Sequence, residues 1–169
     1  NMIYPKFEVY LLNDGFVAKK DNWKDVEQLA KDLGIYCITR KKPHGAKAGN
    51  INNALKYTRS EYFVVFDADH VPSKEFLQKT MGYFIDKKVG FVQTPQYYKN
   101  HSQNLVTEGA WRQQELFFGA ICKGKNKTNS VFMCGTNMVL KRKAIMEAGG
   151  MCETNIAEDF LTSLFVHSK

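Results

Sequence analysis

Short apolar runs alternate along the chain with longer segments in which apolar residues recur at helical spacing. Four runs rich in β-branched and aromatic residues predict strands at residues 7–12, 35–39, 62–66 and 89–93. The segments between them each have one apolar face and predict helices. Because β-α-β crossovers are right-handed, these strands should be parallel, and the order of elements indicates an α/β protein.

Capping residues suggest where the helices begin. Residues 21–22 can begin the first helix, and Ser73 can cap the helix that follows the third strand. Residues 105–121 predict a longer amphipathic helix, for which we favour core packing over a position on a membrane surface. Two further helices are expected, one at residues 141–148 and one that begins near residue 159.

Two carboxylates stand directly after the third strand, which is apolar enough to be buried on both faces. They belong to Asp67 and Asp69. Ligands of open α/β sheets bind beyond the carboxyl ends of the strands, where two such side chains can point into one site. Carboxylate oxygens are preferred ligands of Mg²⁺ and Mn²⁺, which often share substrate phosphates. The pair predicts half of a metal–diphosphate site, whereas an isolated Asp-x-Asp sequence also fits a solvated turn before Pro72.

Two segments on the first half of the chain add to this site. Asp14 follows the first strand, so it should lie on the same rim of the sheet as Asp67. A basic, glycine-containing loop at residues 40–50 leads into a predicted helix at residues 51–57, and its Lys47 together with free backbone N–H groups suits a diphosphate. A solvated basic loop is the alternative. The spacings of Walker A and dinucleotide-binding loops are absent, which excludes both classes.

Two later segments carry further candidate chemistry. Residues 131–140 are apolar on both sides of residues 135–137, which indicates a strand interrupted by a bulge or by the approach of a ligand. Glu158 and Asp159 stand at the start of the last predicted helix. Adjacent acids there fit either a functional pair or charges that stabilise the helix N-terminus.

Composition and charge set limits on the class of protein. The 169 residues are 44% hydrophobic and 13% aromatic, which suits one globular domain. A net charge of +7 favours anionic partners such as nucleotide diphosphates, nucleic acids or acidic lipids. The four cysteines lack zinc spacing and are typical of reduced core thiols. No apolar run approaches the ~20 residues of a membrane span.

Five motifs in order resemble those of family 2 glycosyltransferases, and among them the cellulose synthase catalytic subunits and related β-glucan synthases. Five ordered matches are far more specific than any one of them. They are KAGNINNAL at residues 47–55, DADHVP at 67–72, QTPQ at 93–96, FMCGTN at 132–137 and AED, where the family has TED, at 157–159.

The resemblance implies a GT-A fold, which is a three-layer αβα arrangement with a mainly parallel central sheet. Residues 1–169 would be the central part of one such domain, incomplete at both ends. The implied activity is transfer of glucose from UDP-glucose to a growing β-glucan, with inversion and with Mg²⁺ or Mn²⁺ as the cofactor.

The donor side of the site also follows from the resemblance. By this analogy Asp14 helps hold the uridine and Lys47 contacts the diphosphate. Asp67 and Asp69 serve the metal, with Asp69 as its direct ligand. The physical chemistry agrees, because a cation and a lysine stabilise the charge that develops on a diphosphate leaving group.

The acceptor side carries the remaining roles. The resemblance makes Glu158 and Asp159 the catalytic acids, with Asp159 as the general base that takes the proton of the acceptor hydroxyl. The acceptor terminus would be shaped by four consecutive residues: Cys134, Gly135, Thr136 and Asn137.

The sequence departs from the family pattern in three residues and two larger features. Asn13, Gly45 and Ala157 replace an Asp, a His and a Thr, and none of these changes removes a charge assigned to catalysis. The family's first strand and its Q-x-x-R-W acceptor motif are absent from the chain. We therefore expect a fragment of a synthase whose catalytic domain lies at the cytoplasmic face of a membrane, with the spans elsewhere. The fragment itself would be soluble, inactive, and prone to self-association through the sheet edge beside residues 7–12.

Three alternative functions remain. One is a non-processive family 2 transferase with a lipid or protein acceptor, and another is a nucleotide-binding fragment without turnover. The third is a nucleic-acid binder. Because the chain contains no RNA-recognition or helix-turn-helix pattern, we expect no nucleic-acid partner.

Overall fold

The computed structural model describes residues 2–169 and contains helices and two small sheets. The strands are β1 (Tyr10–Asn13), β2 (Tyr36–Thr39), β3 (Tyr62–Val65), β4 (Phe91–Gln93) and β5 (Met138–Lys141). The helices are α1 (Trp23–Asp32), α2 (Ala46–Leu55), α3 (Phe76–Met81), α4 (Leu105–Gln114), α5 (Lys123–Lys127), α6 (Arg142–Glu147) and α7 (Glu158–His167). A 3₁₀ turn at Gly82–Ile85 follows α3, and wider π-helical turns at Glu115–Cys122 join α4 to α5.

The smaller sheet confirms the predicted β-α-β unit. β1 and β2 pair in parallel, with Tyr10 opposite Tyr36 and Asn13 opposite Thr39. Helix α1 connects them and is followed by Gly34, whose φ of +66° lies in the left-handed region that glycine tolerates at helix ends. The strands and the helix of this unit follow one another directly in the sequence, which is why its pattern is readable.

The larger sheet corrects the prediction of a mainly parallel arrangement. Its strand order is β3–β5–β4, and β5 runs antiparallel to both neighbours. β5 comes from the run predicted as an interrupted strand at residues 131–140, of which only the last three residues, continued by Lys141, form a strand. Met138, Val139 and Leu140 are fully buried, so this apolar segment takes the central position and separates β3 from β4.

The core lies on both faces of β5. Met138 and Leu140 belong to a cluster with Ala48 and Ile51 of α2, whereas Val139 belongs to a cluster with residues of α3. Alternate side chains of a strand point to opposite faces, so helices cover β5 on both sides. This packing brings the start of α2 and the end of β3 to the same rim of the sheet.

Three helix predictions are corrected. Helix α2 begins five residues earlier than predicted, so Lys47 lies in its first turn and not in a loop. Ser73 does not cap α3: Glu75 occupies the N-cap position and makes no side-chain cap hydrogen bond. Residues 123–127, a lysine-rich segment outside the predicted helices, form α5, because they continue the preceding helical turns without a break.

The long helical segment packs differently from the prediction. No residue of α4 is buried, and Leu105 and Val106 are 86% and 81% exposed, so core packing is wrong for this helix. Only the π-helical turns that follow it contribute to the interior, through Phe118 and Cys122. Among residues 2–169, no helix is both long and apolar enough to cross a membrane.

Candidate active site

The turn that begins α2 requires glycine at two positions. Gly45 adopts a φ of +62°, in the left-handed region. Gly49 packs so closely against the His44 carbonyl that a Cβ there would lie 1.9 Å from its oxygen. This compact turn places Lys47 in the first turn of α2, where its Nζ forms an ion pair with Asp67 Oδ1.

The predicted metal ligands lie together in the loop after β3. Single ligand atoms of Asp67, Asp69 and His70 all lie within 4.8 Å of one another. The two carboxylates are the ligand type that Mg²⁺ and Mn²⁺ prefer. The Asp69 side chain is 87% exposed, which leaves room beside it for the oxygens of a substrate. These donors fit a divalent cation that has few protein ligands.

Thr136 connects the acceptor loop, which is residues 132–137, to the metal loop, which is residues 67–72. The backbone N–H of Asp67 donates a hydrogen bond to Thr136 Oγ1 over 3.0 Å. Thr136 and Asn137 are both buried, and Asn137 adopts a left-handed φ of +53°. The two side chains therefore support the loop from within, and of the four predicted acceptor residues only Cys134 is not buried.

Two glutamines join these loops, and the sequence analysis gave them no role. Gln93 Nε2 donates to the Thr136 carbonyl over 2.9 Å, and its Oε1 accepts from the Cys134 N–H over 2.7 Å. Gln96 Oε1 lies 3.0 Å from His70 Nε2. Their sequence signal was the QTPQ motif, which begins at the end of β4 on the same rim as the other site residues.

Asp159 lies in the first turn of α7 and faces Gly135. Gly135 adopts a φ of +77°, and a Cβ there would lie 3.1 Å from Asp159 Oδ2 and 3.8 Å from Lys47 Nζ. Glu158 is not among the residues nearest this point. Because Gly135 has no side chain, the Asp159 carboxylate and Lys47, with its partner Asp67, can both lie close to this point of the loop.

An open groove of about 530 Å³ extends from Cys134 and Asp159. Its walls include the aromatic and amide side chains of Phe117, Phe132, Phe160, Gln113 and Gln114. Aromatic rings and amides suit a ligand that has both apolar faces and hydroxyl groups, as a sugar does. Burial raises the pKa of the Cys134 thiol to about 12, so Cys134 lines this groove as a neutral thiol and not as a nucleophile.

Asp14 is held by a buried arginine. Arg40 Nε and Nη2 donate to the two carboxylate oxygens of Asp14 over 2.6 and 2.7 Å. The same guanidinium donates to the carbonyls of His44 and Ala46 in the turn that begins α2. Arg40 therefore connects Asp14, which is predicted to hold the uridine, to the helix that carries Lys47. Sequence reasoning saw Arg40 only as one charge of a basic loop, and no motif distinguished it from Lys41 and Lys42.

Asn13, which departs from the family pattern, points into the protein. Its Oδ1 accepts from the Gly15 N–H and its Nδ2 donates to the Trp23 carbonyl, each over 2.8 Å. A carboxylate cannot donate to that carbonyl, so an amide suits this position.

Comparison with known proteins identifies the family of the chain. The profile of the family described as glycosyl transferase family 2 matches residues 1–149. The chain is 38% identical over 164 residues to the UDP-forming cellulose synthase catalytic subunit of Xanthomonas axonopodis pv. citri, covering 94% of this chain and 22% of that protein. It is 33% identical over 169 residues to the UDP-forming cellulose synthase 1 catalytic subunit of Komagataeibacter xylinus, covering 97% and 22%. It is 34% identical over 164 residues to cellulose synthase 2 of Novacetimonas hansenii, covering 94% and 10%.

The family match includes the segments that carry Lys47, Asp67 and Cys134, and it ends before Glu158. The chain spans about a fifth or less of the length of these relatives. Family membership implies the GT-A fold that the sequence predicted, here with the antiparallel β5 in the larger sheet. The chain belongs to glycosyl transferase family 2 and is homologous to the cellulose synthase catalytic subunits.

Proposed function

We propose that the protein containing this chain transfers glucose from UDP-glucose to the end of a growing β-glucan, with inversion at the anomeric carbon. The observation that carries the proposal is the meeting of Lys47, Asp67 and Asp159 around Gly135, at the end of an aromatic groove. The name of its relatives, cellulose synthase, supports glucose as the sugar and a glucan as the acceptor. By the same analogy, catalysis takes place at the cytoplasmic face of a membrane.

The donor is proposed to bind across α2 and the loop after β3. Lys47 contacts the diphosphate, and Asp14, held in place by Arg40, keeps lone pairs available for the uridine. Asp67 and Asp69 hold Mg²⁺ or Mn²⁺, with Asp69 as the direct ligand. When bound, such a cation neutralises charge on the leaving diphosphate.

The acceptor is proposed to enter along the aromatic groove. Cys134 and Gly135 lie against its terminal sugar, while Thr136 and Asn137 shape the loop from within through their buried hydrogen bonds. The reacting hydroxyl then lies near Asp159 Oδ2, which is beside Gly135 at the wall of the groove.

The reaction is a single displacement. Asp159 accepts the proton of the acceptor hydroxyl, and the oxygen forms a bond to the anomeric carbon. The bond from that carbon to the phosphate oxygen breaks, and its electron pair leaves with UDP while Lys47 stabilises the charge. A single displacement needs no covalent intermediate, and burial keeps the Cys134 thiol neutral. Glu158 completes the acid pair at the N-terminus of α7.

Product analysis tests the proposal. The full-length protein is incubated with UDP-[¹⁴C]glucose and Mn²⁺, and the products are separated into polymer, lipid-linked, protein-linked and free glucose. Label in a polymer that an endo-β-glucanase digests supports the proposal. Label on lipid or protein instead identifies a non-processive transferase. Binding of UDP without any transfer identifies a nucleotide-binding protein, and either of these results overturns the proposed activity.

A further inference from the structure

Helix α7 contains two fully buried hydroxyl side chains, those of Thr162 and Ser163. Each lies one helical turn after an acid of the catalytic pair. Thr162 Oγ1 donates to the Glu158 carbonyl over 2.5 Å, and Ser163 Oγ donates to the Asp159 carbonyl over 2.7 Å. Hydrogen bonds of this kind are common in helices and by themselves imply no function.

Each of these hydroxyl oxygens also accepts a backbone N–H from another part of the chain. The Met133 N–H donates to Ser163 Oγ over 2.7 Å, and the Cys152 N–H donates to Thr162 Oγ1 over 2.9 Å. Met133 directly precedes Cys134 in the acceptor loop. Ser163 therefore joins the backbone of Asp159 to that loop through one oxygen atom.

Besides these hydrogen bonds, the first turn of α7 contacts the acceptor loop through the edge-to-face pair of Phe160 and Phe132, whose ring centroids lie 5.2 Å apart. Ala157 occupies the N-cap position and makes no side-chain cap hydrogen bond, although its N–H donates to Asn155 Oδ1 over 3.0 Å. The Phe160 N–H donates to Asp159 Oδ1 over 2.7 Å, which leaves Oδ2 directed at Gly135. The position of Oδ2 thus depends on where the first turn of α7 lies relative to the acceptor loop.

We propose that Ser163 and Thr162 are positioning residues that hold the first turn of α7 against the acceptor loop and the Cys152 segment. In this way they place Asp159 for proton transfer. The inference rests on the proposed function, in which Asp159 is the general base. Because a displacement of 1 Å in a catalytic group can reduce turnover about 10²-fold, the loss of either hydroxyl should act on turnover. Donor affinity should change little, since Lys47, Asp67 and Asp69 lie on other elements.

The first test compares Ser163→Ala with Ser168→Ala in the full-length protein. Ser168, the C-cap residue of α7, is a matched control, because its exposed hydroxyl donates to the Phe165 carbonyl of this helix and accepts no described hydrogen bond. Calorimetric titration with Mn²⁺–UDP gives the number of functional donor-binding sites in each preparation, and kcat is expressed per such site. We expect Ser163→Ala to lose roughly 10–100-fold in kcat per site, with KM for UDP-glucose within about threefold of wild type. A variant that is merely less stable would lose sites but keep its turnover per site.

The second test uses Thr162, because a substitution that keeps the hydroxyl is available there as a control for the N–H group that the other variant leaves without a partner. Thr162→Val has the same shape without the hydroxyl, and Thr162→Ser keeps the hydroxyl. The inference requires a low kcat per site in Thr162→Val and near wild-type turnover in Thr162→Ser. Equal turnover per site in the two Thr162 variants would overturn it.

The proposed function and the positioning role of Ser163 and Thr162 can be disproved separately. If the wild-type protein makes no transfer product, or if Asp159→Asn keeps full turnover, the proposed function is wrong. If the wild type is active and Asp159→Asn is not, while Ser163→Ala and Thr162→Val turn over normally, only the positioning role is wrong.

Discussion

Lys47 Nζ and Asp67 Oδ1 are each other's ion-pair partner, although the first residue was predicted to contact a diphosphate and the second a metal. A divalent cation at Asp67 competes with the lysine ammonium for the same carboxylate. A diphosphate provides the lysine with another anionic partner. The pair therefore favours binding of the cation and the nucleotide together over binding of the cation alone.

The first prediction compares the binding of free Mn²⁺ with the binding of Mn²⁺–UDP. Lys47→Ala should bind free Mn²⁺ about 2–5-fold more tightly, because it removes a partly exposed competing charge. It should bind Mn²⁺–UDP roughly 10-fold or more weakly, because a charge-assisted contact to phosphate is lost. Calorimetry with each ligand measures both changes, and the exposed Lys56 at the other end of α2 provides the control variant Lys56→Ala. Parallel weakening of both ligands would contradict the competition.

The second prediction concerns the metal ligand. Asp69→Ala should abolish the dependence of UDP binding on Mn²⁺, because a cation with few protein ligands loses one of them. Titration of the folded variant with UDP, with and without Mn²⁺, measures this. Asp25→Ala removes the same charge from α1 and should leave binding unchanged. If Asp69→Ala keeps wild-type affinity for Mn²⁺–UDP, Asp69 is not a ligand.

The third prediction concerns the general base. Asp159→Asn in the full-length protein should reduce turnover by roughly 10²–10⁴-fold and leave donor affinity nearly intact, since a positioned base contributes that much to rate. Steady-state kinetics and Mn²⁺–UDP binding give the two values. Glu147→Gln on α6 is the control. Near wild-type turnover in Asp159→Asn would mean that the acid pair serves only to stabilise the N-terminus of α7.

The fourth prediction concerns Arg40. Arg40→Lys keeps the charge but not the planar fork that binds both oxygens of Asp14, so the affinity for UDP should fall roughly 10-fold. If Arg40 acts through Asp14, the double variant with Asp14→Asn should be little weaker than Asp14→Asn alone. Lys41→Ala, which removes the neighbouring exposed charge, is the control. Fully additive losses would show that Arg40 acts independently of Asp14.

Local patterns made much of this architecture predictable. The β1–α1–β2 unit depends on periodicity and a terminal glycine, and both are visible in residues close along the chain. The position of β5 between β3 and β4 depends instead on pairing between residues more than 40 positions apart, such as Gln93 and Met138. No local signal in the sequence specifies which strands will be neighbours.

The residues of the candidate site likewise fall into those that the sequence predicts and those that it does not. Lys47, Asp67 and Asp159 were found because each belongs to a motif of recognisable chemistry. Arg40 and Ser163 were missed, because their importance comes from partners distant in sequence, Asp14 and Met133. A buried arginine or serine has no sequence signal that separates it from an exposed one.

The edges of the two sheets lead to the last prediction. Among residues 2–169, β1 pairs only with β2 and β3 only with β5, so each has an edge without a strand partner. Phe7 and Val9, next to β1, are 40% and 41% exposed. Unpaired apolar edges tend to pair with other chains, and a lysine on such an edge opposes this.

Residues 1–169, expressed by themselves, should therefore self-associate, and Val9→Lys should shift the population towards monomer. Val106→Lys adds the same charge to the 81% exposed side chain position on α4, away from both edges, and should leave association unchanged. Light scattering coupled to size-exclusion chromatography over a range of protein concentrations measures the mass of each variant. Asp14 and Asp67 follow β1 and β3 at their carboxyl ends, so association along these strands should interfere with the donor site. The isolated chain should therefore bind Mn²⁺–UDP weakly and make no glucan. A wild-type monomer that forms polymer from UDP-glucose would refute this prediction.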